Sequence, residues 1–354
     1  MGAFENNAGK VGAEVFKEML LPFGGANRSE VICGPQFGVD SAVIDLGNGE
    51  ALAVSSDPLS LIPGLGMEVS AWLSIHLLVN DMLTTGFAPQ YAQFVLNLPP
   101  SLSKADFQEY WKHIHALCEQ HDIAITGGHT GQIEGQNSTI SGGGTMFLKA
   151  PKNQILTSNH AEPGNLIVMT KQAALVSSSL LARAFPETVT SKCGQLIQQK
   201  AAKNFWQLSV KEEALLAAQT LKLNAELRAM HDVTEGGVLG ALAEMATASG
   251  CGFEVDADAI PVGEEVKAVT DLFEIDPLLS IGAGSMVMAL REDAWEKLDA
   301  AFKKAGISAT VVGRFTEASS GQILVKNGEQ QSFEFDGEDP YWMAFFNALN
   351  AGWK

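Results

Sequence analysis

The sequence predicts a two-domain protein of the α/β or α+β class, and three observations lead there. The chain has 354 residues, too many for one simple core and about right for two domains of ordinary size. Apolar residues make up 46% and charged residues 18%, a globular composition in which burial can offset chain entropy. Strand-like apolar runs mix with helical periodicity in both halves. Between Pro151 and Asn165 the pattern fails in a polar stretch punctuated by Pro163-Gly164. The boundary is placed there, dividing residues 1–155 from 156–354.

The elements follow in chain order. A short helix is expected over Lys10–Leu21, then strands at Glu30–Cys33, Ser41–Leu46 and Ala51–Ser55. Met67–Thr85 is too long for a strand. Its helical spacing puts Val69, Leu73, His76/Leu77 and Asn80 on one side, and Gly86 ends it as a left-handed cap. Tyr91–Leu98 reads as a strand. Ser103 with Asp106 forms a capping-box-like start, and the helix after it shares a face of Phe107, Trp111, Ile114 and Cys118. Ile123–Thr126 is a short strand running into a glycine-rich loop, and Ser138–Lys149 a strand bent at Gly142–Gly144. In the second half, strands are expected at Leu166–Thr170, Phe253–Val255, Ser285–Leu290, Thr310–Val312 and Gln322–Val325. Helices are expected at Ala174–Ala184, Glu212–Leu221, Gly236–Ser249 and Ala294–Ala305.

The formal net charge of −18 argues against nucleic acid and anionic membranes as main partners, because such a surface repels phosphate backbones. It also means that any bound nucleotide needs local neutralisation, for which a metal ion is the usual means. Cys33, Cys118, Cys193 and Cys251 are scattered, with no CxxC spacing, which fits a reducing cytoplasm rather than a disulfide framework or zinc site. Met1–Asn7 has neither a basic region nor an apolar core, so no signal peptide is expected. The apolar stretch Met67–Leu83 is broken by Glu68, His76, Asn80 and Asp81 and reads as a buried helix, not a membrane span.

The chemistry-bearing residues are acids where local propensity does not want them. Asp81 sits near the C-terminal end of an apolar helix, where the dipole disfavours a carboxylate. Asp57 ends one apolar strand and Asp40 precedes another. Convergence on a hard cation such as Mg²⁺ is one reading, and ordinary turn and cap roles are the other. In His231-Asp232-Val233-Thr234-Glu235-Gly236-Gly237, glycines at a helix start allow backbone N–H groups to approach phosphate, although capping by Asp232 or Thr234 explains the segment equally well. Thr126-Gly127-Gly128-His129-Thr130-Gly131 is a phosphate-cradling candidate that matches neither the Walker nor the Rossmann pattern. Lys171 offers an ammonium to a phosphate, or is a solvated lysine after a strand. His113, His115 and His121 do not share a helix face, and a metal reading for them is rejected. Cys33 is read as a buried thiol rather than a nucleophile.

In this order, the motifs Gly38-Val39-Asp40-Ser41-Ala42-Val43, Ser56-Asp57-Pro58, Val79-Asn80-Asp81, Gly127-Gly128-His129-Thr130, Thr170-Lys171 and His231 to Gly237 resemble the AIR synthase-related (PurM-like) superfamily over almost the whole chain. Pro63-Gly64-Leu65-Gly66 and Asn80-Asp81-Met82-Leu83 make the resemblance nearest to the hydrogenase maturation factor HypE. The resemblance implies a first domain that pairs with its twin in a β-barrel homodimer, and a second α/β domain. It also implies ATP in the cleft between them. Asp40, Asp57 and Asp81 match family metal or phosphate-site acids. Asn80 matches the family's Asn-Asp pair. Gly127, Gly128 and Thr130 match its glycine loop. Lys171, Asp232, Thr234, Glu235, Gly236 and Gly237 match second-domain motifs.

Three departures qualify what the resemblance implies. The sequence ends Asn350-Ala351-Gly352-Trp353-Lys354 without the family factor's carbamoyl-accepting cysteine, so cyanide-ligand chemistry by that route is not expected. His129 stands where the family loop has an acid, and Val39 replaces the first of the paired aspartates of thiamine-monophosphate kinase. The expected function is a cytoplasmic, Mg²⁺-dependent, ATP-binding enzyme that activates an amide- or carbonyl-type oxygen by phosphorylation. Asp57, Asp81 and Asp232 would carry the chemistry, and the acceptor would be a small molecule or protein-borne. The alternatives are a nucleotide-binding accessory protein with reduced catalysis and a small-molecule kinase.

Overall fold

The structure is a computed structural model and describes residues 9–354; the segment Met1–Asn7, read above for a signal peptide, lies outside the described residues. The first half contains α1 (Ala13–Val15, continued by a wider turn over Phe16–Leu20), β1 (Val31–Cys33), β2 (Ala42–Asp45), β3 (Glu50–Ser60), α2 (Met67–Leu83), β4 (Tyr91–Leu98), α3 (Lys104–Gln120), β5 (Ala124–Gln132) and β6 (Ile140–Pro151). Its six strands form one sheet in the order β1-β2-β3-β6-β4-β5. All neighbours are antiparallel except β4 and β5.

The second half contains β7 (Leu166–Thr170), α4 (Leu175–Ala184), α5 (Pro186–Cys193), α6 (Gln195–Asn204), α7 (Lys211–Thr220), β8 (Leu227–Asp232), α8 (Gly237–Ser249) and β9 (Cys251–Asp256). It continues with α9 (Glu264–Leu272), β10 (Met286–Leu290), α10 (Trp295–Ala305), β11 (Ala309–Glu317), β12 (Gln322–Lys326), β13 (Glu329–Ser332) and α11 (Pro340–Asn350). Its sheet runs β13-β12-β9-β11-β7-β10-β8. No helix among the described residues is long and apolar enough to cross a membrane.

Side-chain periodicity explains which faces are covered. Strand β4 alternates, with Ala92, Phe94, Leu96 and Leu98 buried and Tyr91, Gln93 and Val95 exposed on the opposite face. Strands β7 and β10 are buried at every position, as apolar runs covered on both faces are.

Helix α2 departs from its predicted one-sided pattern. Val69, Leu73, His76 and Asn80 are buried, but so are Ala71, Ile75, Leu78, Val79 and Met82. The reason is its position between the two halves. Ile75, Leu78 and Met82 share a core with Phe94 and Met146 of the first sheet and Met286 and Met288 of the second. Val69 and Leu73 belong to another core, with α4 residues Val176 and Leu180.

Ser103 Oγ accepts a hydrogen bond from the Asp106 amide at 3.0 Å and starts α3 as expected. The α3 stripe is rotated from the predicted one. Tyr110, Ile114, Leu117 and Cys118 are buried, with Phe107 and Trp111 packed at the margin. Helices α5, α6, α9 and α11 and strands β8 and β13 were not foreseen.

The segment Thr126–Gly131 is not the predicted loop. It lies inside β5, with Gly128 opposite Phe94 and Thr130 opposite Leu96. A Cβ on Gly128 would sit 1.9 Å from the Phe94 carbonyl oxygen, so glycine is required by the close approach of two strands. Alanine at Gly128 is therefore expected to lower stability in nucleotide-free urea unfolding by roughly 2 kcal/mol or more. Alanine at Gly127, whose nearest atom is Gln93 Nε2 at 3.9 Å, should have a smaller effect. Equal losses at the two positions would contradict the strand-contact explanation.

Candidate functional site

Four aspartates reach one buried space from four different elements. Asp57 lies on β3, Asp81 in the last turn of α2, Asp232 at the end of β8, and Asp40 shortly before β2. Asp81 Oδ2 accepts a hydrogen bond from Ser55 Oγ at 2.8 Å, and Asp40 Oδ2 accepts one from Ser158 Oγ at 2.9 Å. Both carboxylate oxygens of Asp232 are buried without a hydrogen-bond partner among the described residues. Asp40, His231 and Asp232 each present one ligand-type atom, all within 4.8 Å of one another.

The electrostatics follow from burial and like charge. Burial, then repulsion from Asp40, pushes the Asp232 carboxyl up to about 8. Burial, then Glu235, pushes Asp57 up to about 7. Asp81 is raised well above the usual carboxylate range by burial and by Asp232, Asp57 and Asp40. Asp40 is also raised, chiefly by burial.

Two cations partly balance this set. Burial alone would lower His231, but Asp40 and Glu244 more than reverse it and hold it at about 9; its Nε2 lies 3.4 Å from Asp40 Oδ1 and 3.2 Å from Glu244 Oε2. Lys10 Nζ donates to both Glu244 oxygens at 2.9 Å, and its backbone N–H donates to Glu235 Oε2 at 2.6 Å. Burial opposes ionisation of Glu244, yet Lys10 and His231 bring it down to about 2. The cations thus satisfy Glu244 and Asp40, while Asp232 keeps two orphaned oxygens. A buried carboxylate with no donor is expensive unless a cation completes it, and an all-oxygen aspartate set suits a hard one.

The other predicted site residues are placed as follows. Glu235 stays at the site, its Oε1 accepting from Trp342 Nε1 at 3.2 Å. The Gly236 N–H, expected to face phosphate, donates to Asp339 Oδ2 at 2.8 Å. A Cβ on Gly236 would lie 2.3 Å from the Phe335 ring, and one on Gly237 would lie 2.5 Å from the Leu278 carbonyl oxygen. Both glycines therefore have packing reasons. The Thr234 carbonyl accepts from the amides of Gly237 and Gly282, each at 3.2 Å.

Asn80 is fully buried and turned to the second half. It donates to the Leu208 carbonyl at 2.8 Å and accepts from the Val210 amide at 3.1 Å. Lys171 is not available to a phosphate. It pairs with Glu213 at 2.7 Å and donates to the carbonyls of Gln207, Ser209 and Gly284. Gly127, Gly128 and Thr130 sit away from the acids. Across the sheet Asp57 pairs with Gly144, Gly144 with Phe94, and Phe94 with Gly128, three strand spacings or roughly 14 Å.

Sequence reasoning missed Lys10, Glu244 and Asp339. Glu244 had a readable signal, a lone carboxylate in the apolar helix α8, the same kind of sign that pointed to Asp81. Lys10 had none, since its partners are more than two hundred residues away and only the fold brings them together.

Comparison with known proteins gives two family-model matches. The AIR synthase related protein N-terminal domain matches residues 38–147 and the C-terminal domain matches residues 162–326. A hydrogenase expression/formation protein of Methanocaldococcus jannaschii is 24% identical over 322 residues, covering 89% of this chain and 91% of its own. A thiamine-monophosphate kinase of Buchnera aphidicola is 26% identical over 312 residues, covering 85% and 90%. A crystal structure of the hydrogenase maturation protein HypE in complex with ATP has a TM-score of 0.67 at 17% identity, over 94% of this chain and 97% of that one. At that identity, it speaks for the fold.

The charge arrangement fixes a pH dependence. Asp57 and Asp232 have folded-state values above their ordinary one, so the folded protein holds protons that the unfolded chain releases above about pH 4. His231 contributes stability that is lost as pH rises through about 9. Buried His76 and His121, lowered to about 3 and 4, oppose this trend up to their ordinary value of about 6.5. In EDTA, the melting temperature should therefore fall between about pH 6.5 and pH 9. Mg²⁺ or Mn²⁺ should raise it most at the alkaline end. Asp232→Asn should stabilise the EDTA form at pH 8 by on the order of 1 kcal/mol and remove most of the metal effect. A melting temperature that rises with pH above about 6.5 in EDTA would contradict this account of the cluster.

Proposed function

Because the chain belongs to the AIR synthase related protein family in both of its domains, we propose that it is an ATP-using, Mg²⁺-dependent enzyme of the HypE type, acting on an amide- or carbonyl-type oxygen. The observation that carries this reading is the buried, unpartnered carboxylate of Asp232 beside Asp40, Asp57 and Asp81. Those four aspartates would hold the metal. When bound, the metal would supply charge neutralisation for nucleotide phosphates, and the nucleotide would supply a phosphoryl group that makes a poor leaving oxygen a good one. His231 holds Asp40 and Glu244 in place through its Nε2. Lys10 contributes a positive charge, held on Glu244. Four free thiols fit a reducing cytoplasm.

A second reading has its own observation. Lys10 lies among the acids and Asp339 lies on the Gly236 N–H, so groups of the chain itself stand where a cation and an anion would be met. This favours a nucleotide-binding accessory protein with slow or absent turnover. A kinase of the thiamine-monophosphate kinase type would instead leave a stable new phosphate on its product.

Calorimetric titration with a non-hydrolysable ATP analogue, with and without Mg²⁺, tests the shared premise. Binding should require the metal, and Asp81→Asn should reduce Mg²⁺-dependent ATP turnover at least a hundredfold. Unchanged turnover in that variant would sink the assignment. Tight binding without turnover would select the accessory reading.

The exposed face of the first sheet is proposed to pair with a second copy. It carries Val95 at 44% exposure and Tyr91 at 41%, the latter stacked on Phe147 with ring centroids 5.4 Å apart. In sedimentation, the protein should run as a dimer and Val95→Lys as a monomer. A wild-type monomer at micromolar concentration would refute the pairing.

A further inference from the structure

A second concave site lies well away from the aspartates. A cavity of about 460 Å³ opens between the turn before α2 and helices α4 and α6, lined by Leu65, Arg183, Gln198, Lys203 and Trp206 among others. The size is within the range of small-molecule pockets. The turn adjoins Met67 at the start of α2, whereas Asp81 is near its end. At 1.5 Å per residue, the two sites are separated by about 21 Å along the helix.

Its charge is opposite to that of the protein. The chain carries a net −18, yet the charged residues lining this cavity are Arg183 and Lys203. Neither enters an ion pair among the described residues. Glu68 is near enough to act on Arg183 but makes no ion pair with it, so two cations lining one cleft still create a local field that attracts an anion.

The arginine is also held ready. Arg183 Nε donates to the Ala202 carbonyl at 2.8 Å, and the guanidinium lies 4.9 Å from the Phe205 ring centroid and 5.0 Å from that of Trp206. Trp206 is itself braced edge-on against Trp72 at 5.1 Å. The Nε hydrogen bond and the two ring contacts hold the guanidinium in place and leave its terminal nitrogens without protein partners among the described residues, so little rotamer freedom remains to be lost on binding. Trp206, 36% exposed, and Leu65 supply an apolar wall. Gln198 donates its amide to the Ala182 carbonyl and is thereby oriented.

We propose that this cavity binds a small anion with a phosphate or carboxylate head on Arg183 and Lys203 and a flat apolar part against Trp206. At that distance from the aspartates the ligand is not the group being phosphorylated, and the proposal stands independently of the nucleotide reading.

Calorimetric titration of the full chain with phenyl phosphate, benzoate, inorganic phosphate and phenol tests it. Phenyl phosphate or benzoate should bind at one site per chain, and their relative affinity names the head group. Inorganic phosphate should bind more weakly, and phenol not measurably. Lys203→Ala removes an exposed side chain without a hydrogen bond, so its melting temperature should match wild type. It should weaken binding about tenfold, as loss of one charge-assisted contact does. Arg183→Lys, which keeps the charge but loses the planar fork, should weaken it similarly. Asp81→Asn should leave it unchanged. Absence of saturable binding, equal affinity in Lys203→Ala, or loss of binding in Asp81→Asn would each overturn the proposal.

Discussion

Repulsion among Asp40, Asp57, Asp81 and Asp232 is the constraint around which the two domains meet. A pair of unit charges 4.8 Å apart at an effective dielectric of about 20 repels by roughly 3 kcal/mol. A whole domain is stable by only about 5–15 kcal/mol. Full ionisation of the set would therefore consume much of that margin, and the metal-free protein avoids it by keeping protons, with Asp57 near 7 and Asp232 near 8. Lys10 and His231 relieve Glu244 and Asp40 but leave Asp232 without a donor. An arrangement this unfavourable for folding has a physical rationale once a cation replaces the protons.

Helix α2 couples that charge cluster to the packing of the second domain. Asn80 and Asp81 are consecutive, so their side chains leave the helix about 100° apart. Asp81 faces the other acids, while Asn80 uses both ends of its amide to bind the backbone of Leu208 and Val210. Leu78, one turn before Met82, meets the first sheet at Gly144, where a Cβ would stand 2.5 Å from Leu78 Cδ1. The position of the Asp81 carboxylate is thus set by contacts on both sides of the helix. Asn80 spends both ends of its amide on fixing the helix against the second half.

Much of the fold was legible because its signals are local. Tyr91–Leu98 and Leu166–Thr170 were read with their observed bounds, since apolar alternation and an apolar run are properties of the segment itself. The aspartates were legible because acids at the ends of apolar elements oppose local propensity. The glycine segments were ambiguous for a shared reason. Glycine before a close backbone contact and glycine in a phosphate loop look alike in sequence. Only the Phe94 carbonyl beside Gly128 and the Phe335 ring beside Gly236 distinguish them. The surroundings of Lys171 were illegible in the same way, because its four oxygen partners come from segments that sequence spacing does not connect. Helix α11 was illegible, although Asp339 and Pro340 form an N-cap and first-turn proline, because it is apolar on both faces: Tyr341, Ala344 and Ala348 are buried while Met343, Phe346 and Leu349 are exposed.

The same contacts bear on how an anion would reach the α8 start. A helix N-terminus attracts negative charge, and here Asp339 already supplies it, accepting from the Gly236 amide while also capping α11 through the Tyr341 amide at 2.9 Å. Burial pushes the Asp339 carboxyl up to about 6, so the contact is made under strain of desolvation rather than at no cost. Across the turn, Lys10 holds Glu244 and Glu235, and Glu235 in turn holds Trp342 next to Asp339. The amino-terminal and carboxy-terminal segments are therefore tied to each other through one glutamate. The start of α8, the carboxy-terminal helix and the aspartate cluster are thus joined by one continuous set of hydrogen bonds, in which Asp339 occupies the Gly236 N–H and Glu235 bridges Lys10 and Trp342.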